Sequence, residues 1–274
     1  VIRRVMKNLG VLDESRADVP PESRQLERDG YAVLEQVFTA DEVAQLRSEI
    51  DDVFERYPAE RARDDYKQFR YEMLNRSAAC QAAIAHPRTL AVIEPLLGED
   101  CHVIANTAWV NPPDFEGGFW HTDAGPHVPR PEGVDWPDEI PYPVFAVATH
   151  VFLQDCGRVD GPTAVVPGSH RSGRMAPWDG PDDLTYDGRP PFLMEARAGD
   201  VGMFVSDAWH RGVPALEGGR GRYFLQVHYG RRDIAQRIRL TRDVNQLSPE
   251  AIERAGTDRQ KTVVGLHDPF FYDA

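Results

Sequence analysis

Apolar and polar positions follow different rhythms along this chain, and each rhythm predicts a different element. Val43, Leu46, Ile50 and Val53 recur at helical spacing, which puts them on one face of a helix. Thr39 and Glu42 stand just before that run. They predict a capping box, with Thr39 as N-cap and Glu42 reaching back to its backbone. Shorter helices are predicted over Glu22–Asp29, ended by Gly30, over Ser77–Ile84, and over Thr89–Leu97, stopped by Gly98. Tyr31–Phe38 reads as a first strand and its exit, Tyr57–Gln68 as a polar loop, and Val1–Pro21 as an irregular arm.

From Cys101 the rhythm shortens. Strands are predicted at Cys101–Val110, Phe119–Thr122, Val144–Leu153, Thr163–Val166, Leu193–Ala196, Val201–Val205 and Arg222–Tyr229. Turn chemistry separates them at Asn111-Pro-Pro, Asp160-Gly-Pro, Pro167-Gly-Ser and Ala198-Gly-Asp. Many short, punctuated strands suit a closed or sandwich β core, so the fold expected is mainly β with flanking helices. No linker interrupts the pattern. A single domain over 1–274 is expected, with a helical and strand N-terminal part to about residue 100, a core over about 101–230, and a C-terminal extension over about 231–274. Two long insertions, Ala124–Pro143 and Arg171–Pro191, are rich in Pro, Gly and Asp. Loops of that length beside a site act as lids or substrate walls.

Charge narrows the partners. Lys plus Arg number 31 against 44 Asp plus Glu, a net charge of −13. An acidic surface argues against nucleic acid and anionic membranes. No apolar run reaches the roughly 18 residues that span a bilayer, and Val1–Lys7 lack a signal-peptide core. The three cysteines, Cys80, Cys101 and Cys156, form no paired motif, which points to a reducing, cytoplasmic setting. A monomer or homodimer is expected.

The chemistry centres on Gly118–Asp123. In His121-x-Asp123 the two side chains fall on one face of an extended strand. His210, in Ser206–Gly212, is the best candidate for a third ligand. Two histidines and one carboxylate leave octahedral positions open, which suits non-haem Fe(II) binding a cosubstrate and O2. Arg222 opens the last apolar run, where a fixed guanidinium could clamp a dicarboxylate. Phe224, Gln226 and His228 share its face by alternation, and Arg220 competes with it on the same parity. In Val144–Leu153, alternation sets Ala146, Ala148, His150 and Phe152 opposite the apolar Phe145, Val147, Thr149, Val151 and Leu153.

The order His121-x-Asp123, Gly161-Pro-Thr-Ala-Val-Val-Pro-Gly-Ser-His170, Gly199-Asp200, His210 and Arg222 resembles the phytanoyl-CoA dioxygenase family of Fe(II)- and 2-oxoglutarate-dependent oxygenases, from about Tyr31 to Tyr229. The resemblance implies a double-stranded β-helix, a cupin-like jelly roll. It implies Fe(II) on His121, Asp123 and His210, with 2-oxoglutarate held by Arg222. It also implies oxidation of an unactivated C–H bond of a small metabolite, by hydroxylation, with release of succinate and CO2. His150 falls where some members line the cosubstrate pocket, and His170 lies in a segment that is mainly architectural. Some members carry Ser or Thr where this chain has Gly212, and Asn106 and Thr107 are candidates to replace that hydrogen bond. Related halogenating enzymes carry Gly or Ala at the carboxylate position, so Asp123 implies oxygenation. Trp109, Trp120, Trp136, His127 and Gln226 are candidate substrate contacts, and Trp178 could line an apolar pocket with these three tryptophans.

Desaturation, epoxidation and ring formation diverge only after hydrogen abstraction and stay open. Two further classes compete: a zinc hydrolase using the same ligands, which leaves Arg222 without a role, and a non-catalytic jelly-roll binding protein.

Overall fold

The computed structural model describes residues 12, 18–59, 68–123, 125–238, 247–264 and 266. Most of the N-terminal arm, the stretch 60–67, Ala124 and His267 lie outside them.

Two antiparallel sheets form the core. Strands β1 (Tyr31–Leu34), β2 (Phe69–Arg70), β3 (His102–Asn111), β4 (Ala146–Phe152), β7 (Val201–Val205) and β9 (Arg222–Gly230) make the larger one, in the order β1-β7-β4-β9-β3-β2. The smaller is β6-β5-β8, from β5 (Thr163–Val165), β6 (Phe192–Met194) and β8 (His210–Gly212). This is the expected double-stranded β-helix: from β4 to β9 the chain crosses to the smaller sheet for β5 and β6, returns for β7, crosses again for β8 and returns for β9.

The two faces of the larger sheet do different work. On the outer face Val147, Val151, Met203, Val205, Leu225, Val227 and Tyr229 pack with helices α1 (Pro21–Asp29), α2 (Ala40–Arg56), α4 (Ala78–Ala83) and α5 (Pro87–Leu97) into one large apolar cluster. On the inner face Ala148, Phe152 and Phe204 meet Val165 and Met194 of the smaller sheet. Both faces of β4 are buried, so its alternation separates two cores rather than core from solvent.

Helix α2 begins with the predicted capping box, and Val43, Leu46, Ile50 and Val53 are its buried residues. Helix α5 starts at Pro87, with Pro in the first turn and the His86 ring capping Arg88 N–H. The first strand stops at Leu34, short of the predicted exit. Gln36 turns to φ 49°, and the Val37 and Phe38 N–H groups both donate to Gly199 O at 2.9 Å. Phe119–Thr122 is not a strand. Only His121 pairs, in an isolated bridge to His210. The periodicity missed β2, the short helix α3 (Met73–Arg76), β8 and two C-terminal helices, Pro249–Arg254 and Asp258–Val263. All are too short for a periodic signal. His170 is architectural in its contacts: its Nε2 donates to Glu27 O at 2.8 Å, tying the Pro-Gly-Ser-His turn to α1. No described helix is long and apolar enough to cross a membrane.

Because Thr39 Oγ1 accepts from Glu42 N–H while the Glu42 carboxylate accepts from Thr39 N–H, Thr39→Ala is expected to lower unfolding free energy by about 1 kcal/mol. Chemical denaturation followed by far-UV circular dichroism measures this.

Candidate active site

Three backbone ties build the metal end of the site. Gly118 N–H donates to Gly212 O at 2.9 Å, His121 and His210 exchange both backbone bonds at 3.0 Å, and Asp123 N–H donates to Ser206 O at 3.0 Å. The segment 118–123 thus runs along β8 and the turn before it. His121, Asp123 and His210 come together with ligand atoms all within 4.8 Å of one another.

Each imidazole is oriented the same way. His121 Nδ1 meets Phe119 O at 2.8 Å, and His210 Nδ1 meets Ala208 O at 2.9 Å. A carbonyl only accepts, so both Nδ1 atoms carry a proton, and Nε2 is the atom each ring has to offer a metal. The protein packed around the His121 ring lowers its pKa to about 4, with His210 adding to the effect, although part of the residue is open to solvent. It is therefore neutral at pH 7. Burial pushes the Asp123 carboxyl up, but His210 and His228 outweigh it and hold it well below the usual carboxylate range. These donors fit a divalent ion such as Fe(II).

A second anchor lies on β9. Arg222 is buried at 6% exposure. Its Nε donates to Asn111 Oδ1 at 3.1 Å and its Nη1 to Thr163 Oγ1 at 2.8 Å. Phe115 and Phe224 lie 4.9 and 5.2 Å from the guanidinium. Among the described residues it has no carboxylate partner. Burial lowers its pKa to about 10, so it stays charged at neutral pH. A buried cation with only neutral acceptors fits an incoming carboxylate. Arg220, the competitor, is mostly exposed and pairs with Asp160.

A side chain at Gly212 would press on the Arg222 guanidinium and the Phe115 ring. A Cβ there would lie 2.7 Å from Arg222 Nη2 and 2.8 Å from Phe115. The hydroxyl on the guanidinium comes instead from Thr163. Asn106 and Thr107 do not supply it. Thr107 faces inward opposite Gln226, whereas Asn106 pairs with Val227 and shares its outward face.

His150 stands beside Gln226 on the inner face. Trp109 Nε1–H donates to Gln226 Oε1 at 2.8 Å, which turns the amide nitrogen toward His150 Nε2, a long contact at 3.4 Å. Accepting there requires the proton on His150 Nδ1, a buried atom with no partner among the described residues. Burial, with Arg222 adding, holds this ring well below its ordinary pKa. An orphaned N–H suits a bound anion.

The remaining candidates divide. Trp109 and Gln226 line the inner face as a pair. Trp120 is 1% exposed in an apolar cluster with Val166, Trp209 and Val213, its Nε1 bonded to Pro181 O. Its side chain is core, opposite in direction to its neighbour His121. Trp136 donates to Ile140 O and packs edge-on to Tyr142, within its own loop. His127 Nδ1 meets Asp207 Oδ1 at 2.5 Å, and its ring stacks on Phe145.

Sequence reasoning passed over Asp207, Asn111, Thr163 and Phe119, the rim partner of Trp178. Asp207 alone had a local signal, a carboxylate in the turn just before His210. Asn111 read as a turn residue, and only the β3–β9 register puts it opposite Arg222. Phe119 and Trp178 stack at 4.0 Å and are 59% and 64% exposed.

The sequence matches the family described as phytanoyl-CoA dioxygenase (PhyH) over residues 26–217. The chain belongs to that family. Iron, 2-oxoglutarate and dioxygen are the cofactor set this membership carries. Among curated relatives, the ectoine dioxygenase of Sphingopyxis alaskensis is 28% identical over 180 residues, 61% of this chain and 55% of the relative. That of Bordetella bronchiseptica is 29% identical over 53% of this chain and 47% of its own length. The chain therefore spans about half the length of the curated relatives it matches. Among solved structures, EctD from S. alaskensis with 2-oxoglutarate and 5-hydroxyectoine aligns at TM-score 0.62 and 22% identity, covering 84% of this chain and 85% of that one. The epimerase SnoN, solved with Fe3+, alpha-ketoglutarate and nogalamycin RO, aligns at TM-score 0.60 and 20% identity over 77% and 82%. These likenesses show the fold.

Asp207 also accepts from Tyr142 Oη at 2.7 Å and from His127 N–H at 3.1 Å. One carboxylate thereby ties both ends of the proline-rich loop to the metal turn. Asp207→Ala leaves the buried Tyr142 hydroxyl without its acceptor, at a cost of about 1–3 kcal/mol. Limited proteolysis is expected to cut within 125–143 faster in this variant than in the parent, with cleavage elsewhere unchanged.

Proposed function

We propose that this protein is an Fe(II)- and 2-oxoglutarate-dependent oxygenase that hydroxylates an unactivated C–H bond of a small molecule, releasing succinate and CO2. One observation carries the reading: a buried, charged Arg222, without a carboxylate partner among the described residues, stands on the same inner face as the residues around the metal triad. A zinc hydrolase would need the triad but leaves that cation without a purpose.

His121, Asp123 and His210 would hold the iron through two imidazole nitrogens and one carboxylate. Arg222, with Thr163 and Asn111 fixing its plane, would take the far carboxylate of 2-oxoglutarate, and His150 Nδ1–H offers a second donor nearby. When bound, iron and 2-oxoglutarate supply the oxidation itself. The chain's share is to orient both and to exclude water with the apolar inner face. Asp123 also argues against halogenation, because its charge and bulk occupy the place a halide would need.

Hydroxylation is favoured by the ectoine dioxygenase relatives, while the epimerase SnoN shares the fold, so the outcome after C–H cleavage is set by the substrate's pose. Phe119, Trp178 and His127 are the substrate contacts we favour. The reading takes the chain as one catalytic unit, a monomer or homodimer, and its free thiols Cys80, Cys101 and Cys156 fit a cytoplasmic setting.

Adding Fe(II) and 2-oxoglutarate together without oxygen is expected to give a weak visible charge-transfer band; its absence with both bound would sink the reading. Arg222→Ala is expected to raise the KM for 2-oxoglutarate roughly ten- to hundredfold, as loss of a charge-assisted pair predicts. Arg220→Ala is the control and should change it little. Turnover in high chloride or bromide is expected to give oxygenated product only, as mass spectrometry would read.

A further inference from the structure

We propose that His228 is a positioning residue that makes Asp123 a one-oxygen metal ligand. The inference rests on the metal-site reading above and concerns how its carboxylate is used.

His228 lies on β9, on the face of Arg222 and Gln226. Its register partners are Ala105 on β3 and Ala148 on β4. Two small neighbours leave space for an imidazole, which is buried at 5% exposure. Its Nε2 lies 3.0 Å from Asp123 Oδ2. An ionised carboxylate only accepts, so Nε2–H donates to Oδ2. The other oxygen, Oδ1, lies 3.3 Å from His210 Nε2. Neighbouring donors on one octahedral ion, with bonds near 2.1 Å, stand about 3 Å apart. Oδ1 and His210 Nε2 are thus spaced as two ligands of one ion, and Oδ2 is the oxygen turned away.

The consequence concerns open positions. Two imidazoles and one carboxylate oxygen leave three sites of an octahedron. A chelating keto acid would take two and dioxygen would need the third. A carboxylate free to rotate can chelate through both oxygens and fill that third site. A hydrogen bond from His228 to Oδ2 prevents this and fixes the carboxylate plane, as partners behind a ligand do elsewhere.

Cobalt(II) titration of the full chain tests the idea, read by calorimetry and by the visible absorption of the bound ion. His228→Gln puts an amide N–H close to where imidazole Nε2 stood; His228→Asn reaches only as far as Nδ1. The Asn variant is expected to bind cobalt(II) about 10–100-fold more weakly and to show an altered spectrum. The Gln variant should stay within about threefold of the parent and keep its spectrum. An Asn variant indistinguishable from the parent, or a Gln variant as impaired as the Asn variant, would overturn the proposal. His121→Ala separates the premise: cobalt(II) binding that survives it would overturn the metal site itself, whatever His228 does. In the unmodified protein loaded with zinc(II), nitrogen-15 NMR of the histidine rings is expected to show His228 with its proton on Nε2. A proton on Nδ1 alone would overturn the proposal even if both variants failed to fold.

Discussion

Everything in the site depends on the backbone pairing of 118–123 against 206–212. His121 and Asp123 lie far from His210 in the chain, and nothing about their side chains draws them together. Two imidazoles and a carboxylate concentrated in one place cost free energy until a cation joins them. The main-chain bonds Gly118–Gly212, His121–His210 and Asp123–Ser206 hold them there. The side chains inherit their direction from those bonds, and Phe119 O and Ala208 O set the two ring planes from within the same segments. A metal would therefore meet ligands already oriented, with little ordering left to do at binding.

The larger sheet supplies the second half of the same electrostatic plan. Along β9 the inward residues run Arg222, Phe224, Gln226, His228, from a buried guanidinium to an imidazole that donates to Asp123. His150 is kept neutral by burial and by Arg222, so it can stand close to the guanidinium without repelling it. The inner face thus has one fixed cation at one end and one fixed carboxylate at the other. A ligand with a carboxylate at its far end and a chelating group at its near end matches that polarity.

How much of this could be read from the residues differs element by element. The capping box of α2, its buried stripe and the two faces of β4 were legible because each is a local, periodic signal. The triad and Arg222 were legible through motif order. Trp120 misled, because an aromatic adjacent to a ligand on a strand points away from it; strict alternation from His121 would have placed it in the core. Asn106 misled by the same parity, one residue from Thr107. Thr163 and Asn111 were invisible in a different sense: their roles exist only through the β5–β8 and β3–β9 registers, and register is not a property of any single stretch of chain. Asp207 needed a tertiary contact with a loop eighty positions away.

That division also explains why reaction class and substrate separate so cleanly in this molecule. The groups that define the chemistry sit on strands or on segments tied to them, where hydrogen bonding leaves one geometry. The groups at the rim come from loops. Phe119 and Trp178 stack on each other with most of their surface exposed, Met175 is half-exposed beside Thr122, and His127 hangs from Asp207. Changing the Phe119 or Trp178 side chain alters what can lie over the metal while the ladder beneath it keeps its backbone bonds, so one scaffold can accept different molecules. Asp207 is where the two regions meet. It belongs to the turn that orients His210, yet its carboxylate is spent on the loop. Loop position and ligand geometry are therefore joined through one short turn, and a substrate that presses on His127 would press on the metal ligands as well.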